Sequence, residues 1–254
     1  ILVKNGIILD MGNLQQEGVD LKGKTVVPGL WDIHTHGANG YDFNEATAEQ
    51  MEEILDFYAR NGVTSVMATV MTDKDEIIKR QLATVAEVAK KFPIIKGIHL
   101  EGPFLSAEYK GAMPLSLLQI PSAEKFDEYQ KCAGGLIKLI TIAPELPHAA
   151  EVIKHIAKTG VAVSLGHSGA SFTETMTAIK CGAKSFTHLF NAMRPIHHHT
   201  PSIIVAGLYS DNYCETIVDG KHLNCDIVRT IAKIKGDKMI AITDSLMCAG
   251  LPNG

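Results

Sequence analysis

The sequence lacks several features that would place it in a specialised class of protein. Its five cysteines include no C-x-x-C pair and their number is odd, so neither a disulfide framework nor a cysteine zinc site is indicated. Free thiols are typical of a reducing compartment, and we therefore expect a cytoplasmic protein. No apolar run approaches the roughly 18–20 residues that a membrane-spanning helix needs, so no membrane partner is expected.

The chain also has little excess of charge of either sign. Its 254 residues include 24 basic and 28 acidic side chains, which gives a formal net charge of −4 at pH 7. Such a balance provides no electrostatic attraction for the phosphates of nucleic acid, so no nucleic-acid partner is expected. Hydrophobic residues make up 46% of the chain, which is too many for a disordered protein and enough for one large α/β domain.

Short apolar runs alternate with amphipathic helical stretches from Pro28 onward. The runs are apolar on both faces, as are the strands of a parallel sheet covered by helices. Thr47 with Gln50, and Ser171 with Glu174, have the spacing of helix capping boxes. Eight such strands predict an α/β fold of the (β/α)8 TIM-like barrel type, with a doubly wound open sheet as the alternative. The predicted strands span residues 26–33, 63–70, 94–100, 136–143, 161–165, 184–189, 214–218 and 239–243.

Side chains that can ligate metals stand at the ends of five of these strands. In a (β/α)8 barrel the carboxyl ends of all strands meet at one mouth, so these side chains would converge. His34 and His36 are two residues apart on a strand and therefore point to the same face. Taken singly, each residue has an ordinary structural explanation, such as a helix-capping carboxylate or a hydrogen-bonded core histidine. The full set is His34, His36, Glu101, His167, His188 and Asp244.

Six convergent imidazole and carboxylate groups favour a divalent metal site. These ligand types suit Zn, Fe, Mn or Co and do not distinguish between them. The set is large enough to hold one or two ions. A divalent ion lowers the pKa of a water that it binds to near neutrality, which makes the water a hydrolytic nucleophile. The sequence therefore predicts metal-assisted hydrolysis.

The order of these motifs resembles the amidohydrolase superfamily, and the motifs themselves resemble its N-acetylglucosamine-6-phosphate deacetylase family. The segment from Pro28 to Gly37 is similar to the first-strand signature of the superfamily. Further segments that are similar to the deacetylase family follow in order along the chain: His99-Leu100-Glu101-Gly102-Pro103-Phe104, Gly166-His167-Ser168, Thr187-His188-Leu189-Phe190-Asn191-Ala192-Met193, Asp219-Gly220-Lys221-His222 and Thr243-Asp244.

The resemblance implies a reaction and a role for each motif. The reaction is hydrolysis of the acetamide of N-acetyl-D-glucosamine 6-phosphate to D-glucosamine 6-phosphate and acetate. Asp244 corresponds to the catalytic acid/base. The remaining residues correspond to metal ligands, with the presence of the H-x-H pair favouring two ions: Glu101, His167 and His188 for the principal ion, and His34 and His36 for the second.

The resemblance also implies substrate contacts and a homodimer. His222 and its neighbours correspond to a contact that reaches the site of the adjacent subunit. Two positions depart from the family pattern: Met113 stands where the family often has a histidine, and His199 where it has a phosphate-binding arginine. Methionine cannot donate a hydrogen bond, and histidine cannot form a bidentate fork. The implied substrate-binding residues are Ala112, Met113, Asn191, Ala192, His199, Asp219, Gly220, Lys221 and His222.

Two alternatives stay open, the first because of these departures. One is a deacetylase of another N-acetylhexosamine phosphate, such as N-acetylgalactosamine 6-phosphate, or a hydrolase of a cyclic amide. The other is a metal-binding but catalytically idle fragment, since family members continue beyond the equivalent of Gly254. On this view residues 1–27, with Asn5-Gly6 as a turn, are N-terminal strands of a small β-sandwich domain whose partner strands are absent from this chain. Residues 28–254 are then the barrel, which ends just after strand eight.

Overall fold

A computed structural model of the chain describes residues 1–4, 7–12 and 17–252. The first elements are two short antiparallel strands, β1 (Leu2–Lys4) and β2 (Ile7–Asp10). The expected Asn5-Gly6 turn lies outside the described residues. The apolar side chains of β2 are more than half exposed, so this pair of strands buries little apolar surface.

Eight parallel strands form the main sheet, and their order in the sheet follows their order in the chain. The first is β3 (Leu30–Thr35), which is followed by a small antiparallel hairpin of β4 (Gly37–Ala38) and β5 (Tyr41–Asp42). The other strands of the main sheet are β6 (Val63–Met71), β7 (Ile95–Glu101), β8 (Ile137–Ile142), β9 (Ala162–Leu165), β10 (Ser185–Phe186), β11 (Tyr213–Ile217) and β12 (Met239–Ile242).

A helix follows each of the first seven strands of this sheet. Both expected capping boxes are present, since Thr47 caps the first helix with Gln50 and Ser171 caps the fifth with Glu174. The helices are α1 (Ala48–Arg60), α2 (Asp75–Lys91), α3 (Ala123–Cys132), α4 (Ala149–Lys158), α5 (Phe172–Cys181), α6 (Ile203–Tyr209) and α7 (Cys225–Lys235). Short 3-10 turns occupy Leu115–Leu117 and Gly236–Lys238.

The edges of the sheet meet between β3 and β12, which curls it into a nearly closed barrel. Thr35 and Ser245 form a parallel bridge across this seam. The backbone N–H of His36 donates to the carbonyl of Ser245 over 2.8 Å, and that of Asp244 donates to the carbonyl of His34 over 3.0 Å. The prediction of a (β/α)8 barrel is therefore confirmed, and the doubly wound open sheet was the wrong alternative.

The core lies between the strands and the inner faces of the helices. In α1 the buried side chains are Met51, Ile54, Leu55 and Tyr58, a spacing of three and four residues that places them on one face. Burial of each such side chain stabilises the fold by about 1.5–3 kcal/mol. No helix among the described residues has a stretch long and apolar enough to cross a membrane.

The start of the first barrel strand differs from the prediction. The sequence predicted a strand from residue 26, whereas β3 begins at Leu30. Val26 and Val27 are more than half exposed, and Pro28 has no N–H with which to join a ladder. Val26 and Val27 are β-branched and apolar, which favours a strand. No neighbouring strand pairs with them, however, so they lie outside the sheet.

Candidate metal centre and active site

The structure brings the six metal-ligating side chains of the sequence analysis together at the carboxyl ends of the strands. They fall into two groups of three, and within each group one ligand atom from each side chain lies within 4.8 Å of the others. We call the first the His34 group; it consists of His34, His36 and Asp244. We call the second the Glu101 group; it consists of Glu101, His167 and His188.

Three of these residues reach the barrel mouth through an unusual backbone. His167, His188 and Asp244 each lie two residues beyond the end of a strand, and their φ angles are 47°, 29° and 49°. Positive φ is uncommon for residues other than glycine and costs of the order of 1–3 kcal/mol when the surrounding structure enforces it. This conformation turns the chain at the strand end, where these side chains meet. Such strain is typical of functional positions.

The Glu101 group is compact. Glu101 Oε1 lies 3.1 Å from the Nε2 atom of His167 and 3.1 Å from that of His188. The two Nε2 atoms are themselves 3.1 Å apart. Two imidazole nitrogens and a carboxylate oxygen therefore point at a common centre.

The His34 group lies beside it, and Glu101 contacts both. Asp244 Oδ1 lies 3.1 Å from His36 Nε2 and 3.3 Å from His34 Nε2. Glu101 Oε2 lies 3.3 Å from His36 Nε2, and Glu101 Oε1 lies 3.4 Å from His34 Nε2. The carboxylate of Glu101 therefore stands between the two groups.

Burial and charge act against each other in this cluster. Burial acts to raise the pKa of Glu101, but the surrounding imidazoles, with His34 the largest contributor, hold it well below its usual value. Burial likewise acts to raise the pKa of Asp244, and His34 and His36 lower it. For His36, burial acts to lower the pKa, and its contacts with Asp244 and Glu101 raise it to about 9. The carboxylates are thus ionised at neutral pH, as metal ligands must be.

The residues fit a divalent cation. His34 Nε2 is buried and has no hydrogen-bond partner among the described residues, although two carboxylates lie within 3.4 Å of it. Imidazole nitrogens and carboxylate oxygens are the donors that Zn and related divalent ions take at open catalytic sites. The family-level expectation of a divalent metal is therefore consistent with the donor set, while the donors do not identify the ion.

A layer of hydroxyl groups lies next to His99 in the barrel interior. His99 Nε2 and the hydroxyl of Thr141 are 2.8 Å apart, and Thr141 and Thr187 are linked over a further 2.8 Å. Burial, and then the charge of His34, lower the pKa of His99 well below its usual value, so its ring is neutral. The sequence analysis gave His99 no role, because a histidine inside an apolar strand carries no signal of its own.

The segment after β9 is held by two groups that the sequence analysis did not select. His167 Nδ1 donates to the backbone carbonyl of Tyr109 over 2.9 Å, which orients the ring. Glu145 accepts from the hydroxyl of Ser168 over 2.7 Å and from the N–H of Gly169 over 2.6 Å. The Tyr109 carbonyl has no sequence signature. Glu145, however, follows β8 by three residues, and the same search of strand ends could have found it.

The segment around Ala112 and Met113 lies against the Glu101 group. At Gly111, where φ is +58°, an added methyl group would lie only 3.0 Å from the His167 ring and 3.8 Å from Ala192. A glycine is thus needed for this close approach. Met113 is buried, with 4% of its surface exposed.

Asn191 and Ala192 lie three and four residues after His188. The side-chain amide of Asn191 donates to the carbonyl of His188 over 3.3 Å, and Ala192 has a φ of 49°. The structure therefore brings these two predicted substrate residues, together with Ala112 and Met113, to the mouth of the barrel.

The Asp219–His222 segment shares a cavity with Asp244. This cavity, of about 560 Å³, has Asp219, His222, Asp244 and Ser245 in its lining. Asp219 accepts from the backbone N–H groups of Lys221 and His222 and from the His222 ring, over 2.8–2.9 Å. Partial burial acts to raise the pKa of Asp219, but these donors lower it to about 2. The segment, which includes Gly220, is mostly exposed.

The structure does not place the predicted site residue His199 in either ligand group. It lies in the exposed turn of three consecutive histidines, and its nearest aromatic neighbours are the rings of His197 and His198, at 5.8 and 4.0 Å. Its backbone N–H donates to His197 Nδ1 over 3.2 Å.

Known proteins share both the sequence and the fold. The model of the amidohydrolase family matches residues 25–250. The N-acetylglucosamine-6-phosphate deacetylase of Lysinibacillus sphaericus is 34% identical over 263 residues, which cover 100% of this chain and 68% of that protein. The crystal structure of the N-acetyl-D-glucosamine-6-phosphate deacetylase from Mycobacterium smegmatis matches with a TM-score of 0.87 and 34% identity over 90% of this chain and 61% of that one.

A second structure of the Mycobacterium smegmatis protein, a mutant in complex with N-acetyl-D-glucosamine-6-phosphate, also matches with a TM-score of 0.87 and 34% identity. It covers 90% of this chain and 60% of that one. The chain therefore spans between 60% and 68% of the length of these three proteins.

Proposed function

The chain belongs to the amidohydrolase family and, within it, to the N-acetylglucosamine-6-phosphate deacetylases, and from this premise we propose that it hydrolyses the acetamide of N-acetyl-D-glucosamine 6-phosphate. The products are D-glucosamine 6-phosphate and acetate. The observation that carries the proposal is the convergence of the His34 group and the Glu101 group around one shared carboxylate. The complex of the Mycobacterium smegmatis relative with the same sugar phosphate supports the choice of substrate.

The two groups would hold one or two divalent ions. Glu101, His167 and His188 would bind the principal ion, while His34 and His36 would bind the second. When bound, such an ion supplies Lewis acidity that polarises the acetamide carbonyl and activates water. The chain itself contributes the dry, rigid setting, since all five of these residues are at least 95% buried.

Asp244 is the proposed acid/base. Its pKa is lowered, so at neutral pH the carboxylate is ready to accept a proton from the attacking water. The water oxygen forms the new bond to the acetamide carbon, and the C–N bond then breaks. Asp244 delivers the proton to the departing nitrogen, which leaves as the amine. The side chain is 18% exposed, so the carboxylate is the member of the His34 group that is open to the substrate.

The sugar phosphate would lie between Asn191, Ala192 and the segment containing Met113. Asp219 lines the 560 Å³ cavity together with Asp244, which supports a role for Asp219 near the site of its own subunit. We propose that the protein is a homodimer in which His222, with Gly220 and Lys221, reaches the site of the neighbouring subunit. The five cysteines are all free in the structure, which supports a cytoplasmic location.

The exposed N-terminal strands have a proposed role as well. We propose that residues 1–27 belong to a small β-sandwich domain and that residues 28–254 form the hydrolase barrel. The support is the exposure of the β2 side chains Ile7, Ile8 and Leu9, which is 56–64%. Apolar strands of this kind bury their surface against further strands.

The direct test is acetate release from N-acetyl-D-glucosamine 6-phosphate by the purified protein. The protein is stripped of metal and then loaded separately with Zn, Fe, Mn or Co, with bound metal measured in each sample. We expect turnover that depends on the added ion. A sample that binds metal but releases acetate neither from this substrate nor from N-acetylgalactosamine 6-phosphate would make the chain a metal-binding, catalytically idle protein.

Two observations favour testing a second substrate. Met113 offers no hydrogen bond to a sugar hydroxyl, and His199 lies in an exposed turn rather than beside the ligands. The alternative is another N-acetylhexosamine phosphate, such as N-acetylgalactosamine 6-phosphate. Parallel kcat/KM measurements on the two epimers decide between them, because only the orientation of one hydroxyl differs.

A further inference from the structure

A buried carboxylate on β11 contacts a proposed metal ligand from behind. Glu215 lies in the middle of that strand, and neither its side chain nor that of His34 has any exposed surface. Glu215 Oε2 is 3.0 Å from His34 Nδ1. The opposite ring atom, His34 Nε2, faces Asp244 and Glu101.

The other three proposed histidine ligands lack a carboxylate of this kind. His36 Nδ1 and His188 Nδ1 are buried without a hydrogen-bond partner among the described residues. His167 Nδ1 faces the backbone carbonyl of Tyr109. Of these four histidines, His34 is therefore the one whose Nδ1 contacts a carboxylate side chain. A single substitution of Glu215 can remove that contact.

The contact determines which nitrogen of His34 carries hydrogen. A carboxylate can only accept a hydrogen bond, so His34 Nδ1 must donate to Glu215. In the neutral ring the lone pair then belongs to Nε2, which is the atom that has no hydrogen-bond partner. Nε2 thus points its lone pair at the space between Asp244 and Glu101.

A purely structural role for Glu215 does not account for these contacts. Its Oε1 atom is buried and has no hydrogen-bond partner among the described residues. A carboxylate buried with so few partners is unfavourable relative to an apolar side chain of similar volume.

We propose that Glu215 is a positioning residue for the second metal ion, acting through His34. It fixes the tautomer and the ring orientation of His34 so that Nε2 can bind a divalent cation. This inference rests on the proposed metal-dependent function, since it concerns a ligand of the same site. Carboxylates in this position typically raise metal affinity by about 10- to 100-fold.

The test uses Glu215→Leu and Glu215→Gln, with Thr216→Val as the matched control. Thr216 neighbours Glu215 on β11, is equally buried, and its hydroxyl has no hydrogen-bond partner among the described residues. Cobalt(II) is titrated into each metal-free protein in competition with a chelator. Nitrogen-15 NMR of labelled histidine, at a pH high enough for the His34 ring to be neutral, reads its tautomer before metal is added.

We expect Glu215→Leu to weaken the second cobalt(II) site by about 10- to 100-fold and to leave the first site unchanged. Glu215→Gln retains an acceptor and should weaken the second site by less, with a mixture of His34 tautomers. Thr216→Val should match the wild type. If Glu215→Leu does not fold, the Glu215→Gln measurements decide.

Two results would overturn the inference. One is that the Glu215 variants bind the second cobalt(II) ion as tightly as the wild type does. The other is that neither variant changes the His34 tautomer. The outcome is separable from that of the proposed function. A wild type that binds two ions without releasing acetate contradicts the function alone. A wild type that releases acetate, together with Glu215 variants that bind both ions normally, contradicts the positioning role alone.

Discussion

The Glu101 group and the His34 group use similar side chains, but the barrel builds them differently. The Glu101 group comes from β7 and from the segments after β9 and β10, three strands within one continuous stretch of the sheet. The His34 group comes from β3 and from the segment after β12, which are the two edges of that sheet. One group therefore forms within the sheet, whereas the other exists only where the edges meet.

The comparison teaches that the two ligand groups have unequal structural support. His167 and Glu101 are held by neighbouring backbone and imidazole groups of the same region. The His34 group depends on hydrogen bonds across the seam, such as that from the Asp244 N–H to the His34 carbonyl. We therefore expect the Glu101 group to bind its ion more tightly and the His34 group to supply the acid/base.

The largest effect is expected from the residue that both groups share. Glu101→Gln keeps the shape of the side chain but removes the charge that contacts all four histidines. Loss of the ions removes several kcal/mol of charge stabilisation from the transition state, so kcat/KM should fall by about 10⁴-fold or more. Metal analysis should show neither ion retained. The exposed Glu108→Gln is the control, and metal content in Glu101→Gln equal to the wild type would contradict the shared role.

Asp244→Asn should impair the His34 group and leave the Glu101 group intact. The amide cannot accept the proton from water, so kcat should fall by about 10³-fold, within the range of general acid/base catalysis. The Glu101 group does not include Asp244 and should keep its ion, which metal analysis measures. Asp211→Asn, at an almost fully exposed side chain, is the matched control. Unchanged turnover in a metal-loaded Asp244→Asn sample would show that another group carries the proton.

The pH dependence of metal binding should differ between the groups. In the metal-free protein the pKa of His36 is raised from 6.5 to about 9, so below that pH an ion must displace a proton from the ring. Affinity at the His34 group should therefore fall as pH is lowered, by about tenfold per pH unit for each proton displaced. Zinc competition titrations between pH 6.5 and about 9 measure this.

His155→Asn, at a half-exposed histidine on α4, is the control for that titration and should leave its slope unchanged. A second-ion affinity that does not vary over this pH range would contradict the assignment of His36 as a ligand.

The smallest effect should come from Glu145, which supports the Glu101 group from outside the ligand set. Glu145→Gln leaves one of the two donors, Ser168 or Gly169, without its acceptor, at a cost of about 1 kcal/mol in unfolding free energy. We expect kcat/KM to fall by about tenfold or less, with the second ion unaffected. Exposed Glu151→Gln is the control. A loss as large as that of Asp244→Asn would mean that Glu145 contacts the substrate.

Much of this arrangement could be predicted from the sequence because two patterns are local. Apolar runs with helices between them gave the barrel, and the rule that strand ends meet at one mouth selected His34, Glu101 and Asp244. Glu215 was missed because it stands inside a buried strand, where pattern analysis expects only packing. The left-handed backbone of His188 was missed for another reason, since no glycine or asparagine marks the turn.

The position of the seam between β3 and β12 also determines the order in which the site residues come together during synthesis. During synthesis, the strand that bears His34 and His36 leaves the ribosome first, and the segment that bears Asp244 follows some two hundred residues later. All three residues of the Glu101 group are therefore synthesised before the proposed acid/base. Asp244 is thus the last of the six residues to join the site, and the seam that positions it forms only after that.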